Sequence, residues 1–137
     1  MLARVIAVVG LSAMLGACQA PSTVATAPAC RPPLVAATMI ELYFGRAIPG
    51  GGYVSDAEWN DFLRTSISPR FPAGLTVIDS VGQSGSRTTP ERTKLVQLGV
   101  RDAAAATGHI DAVIADYKQR FRQIGVFRVE SPVCASL

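Results

Sequence analysis

The sequence predicts an α+β sandwich, one four-stranded antiparallel sheet with two helices on one face. Three observations lead there. Short runs alternating apolar and polar residues recur along the chain, two runs with helical spacing interrupt them, and the order is strand–helix–strand–strand–helix–strand. This is the βαββαβ order of a ferredoxin-like fold, and right-handed crossovers give it the spatial strand order 4-1-3-2.

Residues 34–44 read as the first strand, with Ile40, Leu42 and Phe44 on one face and Glu41 and Tyr43 on the other. Residues 45–52 contain Pro49 and three consecutive glycines and form a loop. Ser55 followed by Glu58 is a capping box. Trp59, Phe62, Leu63 and Ile67 then make 56–67 an amphipathic helix, which Pro69 ends. Gly74 precedes a second strand over 75–79, and 82–90 is a turn. Val96, Leu98 and Val100 alternate through a third strand over 93–100. Residues 102–106 read ambiguously, as a possible start of the second helix. Beyond them Ile110, Val113, Ile114, Tyr117, Phe121 and Ile124 form one apolar stripe, with Asp116 and Arg120 as an i,i+4 pair and Gly125 as the expected cap. A last strand is expected over 126–130, stopping before Pro132.

The chain is 137 residues long, which allows one domain. Its net charge of +3 is too small and too scattered for a nucleic-acid binder. Its mean hydropathy of +0.30 is concentrated at the amino end. There Arg4 is followed by an apolar run over 5–15, shorter than the roughly 20 residues a spanning helix needs and of signal-peptide proportions. Leu15-Gly16-Ala17-Cys18 resembles a bacterial lipobox, so 1–17 are expected to be removed and Cys18 to be acylated, anchoring the chain to a membrane. The alternative is an ordinary signal peptide with an incidental cysteine. Gln19, where an Asp would favour inner-membrane retention, points to the outer membrane facing the periplasm. Residues 18–33, rich in Pro, Ala and Thr, read as a tether, and 34–137 as the domain. Cys30 and Cys134 enter the first strand and leave the last, which share an end of the predicted sheet, so in an oxidising compartment they are expected to pair; two free thiols are the alternative.

Five stretches, ELYFGR (41–46), VSDAEWNDFL (54–63), ISPRFPAGLTVID (67–79), GQ (82–83) and YKQRFRQIGVFRV (117–129), carry a family resemblance. The sequence resembles the bacterial domain of unknown function 3574. Ala73 and Ser84 stand where that family tends to carry an acidic and an aromatic residue. The resemblance implies a domain of this family in the cell envelope and assigns no activity.

No nucleophile–base set is visible, no cofactor motif is present, and one histidine, His109, without a carboxylate cluster gives no metal site. Gly50-Gly51-Gly52 lacks the Lys-Ser/Thr of a phosphate loop. The informative residues are polar ones on strands. Glu41 and Tyr43 face away from the helices; Gln97 shares that face, and Arg128 is expected there because it alternates with Phe127 and Val129. Three readings follow: a solvated sheet with a Glu41–Arg128 pair, a binding or dimerisation face for a second copy or an envelope protein, and a small enzyme with Glu41 as general base. Arg70, held between prolines, is either an anion clamp or a structural arginine. The expectation is a non-catalytic binding module.

Overall fold

The computed structural model describes residues 29–83 and 89–136; the expected leader at 1–17, Cys18 and most of the expected tether lie outside them. Its elements are β1 (Val35–Gly45), α1 (Asp56–Phe62), β2 (Thr76–Gly82), β3 (Glu91–Val100), α2 (Ala103–Phe121) and β4 (Phe127–Ala135). All strand pairs are antiparallel, and the sheet order is β2-β3-β1-β4, the order that the right-handed crossovers predict.

One sheet face is the core. Ile40, Leu42 and Phe44 of β1 and Val96 and Leu98 of β3 pack against Trp59 and Phe62 of α1 and Ile110, Val113, Tyr117 and Phe121 of α2. Both helices therefore cover the same face. The capping box forms: Ser55 Oγ accepts from the Glu58 N–H (3.2 Å), and Glu58 Oε2 accepts from the Ser55 N–H (2.8 Å). After Phe62 the chain continues through a wider turn (Leu63–Ile67) and a tight one (Ser68–Arg70) containing Pro69, so regular α-helix ends earlier than the expected residue 67.

Two expected boundaries are corrected. Helix α2 starts after Asp102, whose carboxylate accepts from the Ala105 N–H (3.0 Å), and ends at Arg122, a left-handed residue (φ 52°). The apolar stripe thus stops at Phe121. Ile124 lies beyond the helix, 81% exposed, and Gly125 is not the cap. Strand β4 does not stop before Pro132 but runs through it, opposite Thr38. On an edge strand one side of the ladder has no partner, so a residue lacking an N–H is tolerated there. The extension brings Cys134 level with Ala36, and Cys134 is bonded to Cys30 across a Cα–Cα distance of 5.5 Å.

Two cations are buried at the core's margin. Arg46 is 3% exposed; its Nε donates to the Val54 carbonyl (2.7 Å) and its Nη1 forms an ion pair with Asp56 (2.7 Å), without hydrogen-bond alignment. Lys94 reaches Asp79 (2.5 Å), and its hydrogen bond holds that carboxyl below the usual carboxylate range. Among the described residues no helix is long and apolar enough to cross a membrane.

Candidate functional site

Directly opposed residues in an antiparallel pair point to the same side, so the ladders define the uncovered face. It carries Glu41 and Tyr43 of β1, Thr93, Leu95 and Gln97 of β3, Ile78 and Ser80 of β2, and Phe127 and Val129 of β4. Gln97 and Glu41 stand opposite each other, and the Gln97 Nε2 donates to Glu41 Oε1 (2.8 Å). The Tyr43 hydroxyl donates to Glu41 Oε2 (3.0 Å), and that bond, with some burial and the carboxylate's charge, pushes the phenol up from its ordinary value. Tyr43 also leans on Phe127, with ring centroids 5.5 Å apart.

Arg128 does not join this group. It stands opposite Leu42, on the helix side of the sheet, where it binds Asp111 of α2 (3.2 Å) and Glu130. The expected Glu41–Arg128 pair is therefore absent; the parity of β4 is the reverse of the expected one, and Phe127, 67% exposed, takes the open face instead. Arg70 is also elsewhere. Its Nη1 donates to the Ser66 carbonyl (2.6 Å) and its Nη2 lies 3.2 Å from Asp116, so it ties the turn after α1 to α2. His109 is exposed on α2, its ring 6.3 Å from that of Phe71. Among the described residues no group of metal-ligating side chains gathers.

At one end of the open face lies a cleft of about 670 Å³. Its floor is the end of the sheet: Tyr43 and Gly45 of β1, Glu91 and Thr93 of β3, Ser80 and Gly82 of β2. Ala47 and Pro49 form one wall, and the link from α2 to β4, with Gln123, Ile124 and Phe127, forms another. The early stop of α2 at Arg122 supplies that second wall. Had the helix continued to residue 124, Ile124 would have joined the core stripe. The Gln123 Nε2 donates to the Ala47 carbonyl (2.9 Å) and joins the two walls. Below the cleft the buried Tyr117 hydroxyl donates to the Gly45 carbonyl (2.9 Å), and burial pushes this phenol far up.

Glu91 is the carboxylate of this cleft, and the sequence pattern did not single it out. Its Oε1 accepts from the Ala47 N–H (3.0 Å), and it rests where a side chain at position 45 would be, since a Cβ there would lie 2.6 Å from it. The carboxylate thus occupies space that the absence of a side chain at Gly45 leaves open. Gly45→Ala should push the Glu91 carboxylate aside and release the Ala47 amide, at a cost of about 1 kcal/mol. Faster hydrogen exchange at Ala47 and a small drop in the urea midpoint would show it; an unchanged Ala47 amide would mean the carboxylate is not seated as described.

Fold and cleft together define a class: a small ferredoxin-like α+β domain with a mostly apolar, ligand-sized recess at one end of its open sheet face. The chain belongs to the family described as "Protein of unknown function (DUF3574)", whose model matches residues 39–137. No curated protein matches the sequence. Among solved structures, a phage SAM lyase in complex with S-methyl-5'-thioadenosine is similar at 10% identity and a TM-score of 0.46, over 74% of this chain and 90% of that one. That likeness is too slight to carry an argument about activity.

Proposed function

We propose that this protein is a lipid-anchored envelope module, held through Cys18 and facing the periplasm, that binds a small molecule without transforming it. The observation that carries the reading is the cleft: its volume lies within the range of small-molecule sites, and its walls are mostly apolar around a few convergent polar groups. A non-catalytic role is favoured over an enzyme with Glu41 as base because both Glu41 oxygens already accept hydrogen bonds, from Gln97 and Tyr43, and Glu41 does not line the cleft. The lipobox at Leu15-Gly16-Ala17-Cys18 and the Cys30–Cys134 bridge support the envelope location.

Binding is tested on the acylated full chain in lipid nanodiscs. Titration with 2-phenylethanol, a water-soluble neutral probe, is expected to shift the amides of Ala47, Gly82 and Gly125 in the cleft. Phe127→Asp, at an exposed position, should abolish those shifts with the fold intact. Shifts scattered over the domain, or unaltered in Phe127→Asp, would refute the site.

The anchor has its own test. Cys18→Ser is expected to remove all labelled palmitate from the protein, and label still entering the variant would refute acylation at that cysteine.

A further inference from the structure

We infer that the cleft selects a ligand carrying one positive charge, an ammonium or amidinium group on an apolar body, with Glu91 as its counter-ion. This deepens the proposed function and rests on the cleft being a binding site. Among the described residues that line it, Glu91 is the one charged residue and none is Lys or Arg, although the chain as a whole carries a net positive charge. The two cations buried nearby are committed elsewhere, Arg46 to Val54 and Asp56 and Lys94 to Asp79. Glu91 is also positioned in advance. The Ala47 N–H fixes Oε1 over Gly45, so the carboxylate has one geometry, while Oε2 has no hydrogen-bond or ion-pair partner among the described residues.

A half-buried carboxylate beside apolar walls is costly to leave without a partner once a ligand displaces water from it. A neutral ligand would impose that cost, and an anionic one would add repulsion. A cation removes it, with a charge-assisted hydrogen bond to Oε2. The tilted rings of Tyr43 and Phe127, both lining the cleft, offer the π-faces that a cation also favours. The acceptor and the aromatic rings select the same charge.

The test compares three probes of one shape on the acylated full chain in nanodiscs: 2-phenylethylamine (cation), 2-phenylethanol (neutral) and phenylacetate (anion). Cleft amide shifts are expected to give the amine a Kd about tenfold below that of the alcohol, with phenylacetate weaker still. Glu91→Gln keeps the acceptor for the Ala47 N–H and removes the charge. In that variant the amine should lose its tenfold advantage over the alcohol. If amine and alcohol bind the cleft equally in the native protein, the charge selection is overturned and the binding site stands. If none of the three probes moves the cleft amides, the binding site falls and the charge selection with it.

Discussion

Breaking the Cys30–Cys134 bridge is expected to destabilise the domain by about 2–5 kcal/mol. The two cysteines are 104 residues apart in sequence, and for a loop of that size the chain-entropy model places the effect near the top of the range, at about 4.7 kcal/mol. That loss would be a large share of the roughly 5–15 kcal/mol that keeps a domain of this size folded. Position in the fold matters as much as loop length. Cys30 precedes β1, and Cys134 sits in the edge strand opposite Ala36, beyond Pro132, which gives the ladder no N–H. The bond therefore closes the end of the sheet at which β1 begins and β4 ends. Urea denaturation of oxidised native protein should be compared with Cys30→Ser, Cys134→Ser and the double variant. The three variants should fall together, since each removes the same bond. A loss below 1 kcal/mol, or a double variant much worse than either single one, would show that the bridge does not act in this way.

What was legible in the sequence was local. Ser55 with Glu58 announced a helix start because both hydrogen bonds of the box span three residues, and Ile40, Leu42 and Phe44 announced a buried face because strand parity is fixed by the backbone. What was not legible depended on partners far along the chain. Phe127 and Val129 look like the buried set of a strand, and Arg128 and Glu130 like the solvated one. Yet β4 pairs with Arg128 opposite Leu42, and Asp111 of α2 receives it. Shifting the parity by one residue exchanges every side chain between faces, so this one difference removed Arg128 from the site and put Phe127 in it. Ile124 continued the helical stripe in sequence, but no periodicity shows that Arg122 will turn left-handed. Glu91 was invisible for the plainest reason: its meaning is a contact with Ala47 and an absent side chain at Gly45, both more than 40 residues upstream.

The same alternation yields the other large effect, between two adjacent residues of β1. Phe44 is fully buried, and its ring meets those of Trp59 (5.3 Å), Phe62 (6.0 Å) and Tyr117 (4.8 Å), so it touches both helices at once. Phe44→Ala should cost about 3–5 kcal/mol, the lost transfer energy plus the cavity that rings fixed from three sides cannot close. Tyr43, one residue earlier on the open face, contributes one ring pair and one hydrogen bond, and Tyr43→Ala should cost only about 1–2 kcal/mol. Binding should rank the two the other way. Tyr43→Ala removes part of the cleft floor and should weaken 2-phenylethylamine in the molecules that remain folded. Phe44→Ala should leave the affinity per folded molecule nearly unchanged as long as the Tyr117 hydroxyl still holds the Gly45 carbonyl. Denaturation midpoints and amide titrations on both variants separate the two faces. Equal stability losses at 43 and 44 would mean that the open face is not open, because a second body would then be covering Tyr43 as the helices cover Phe44.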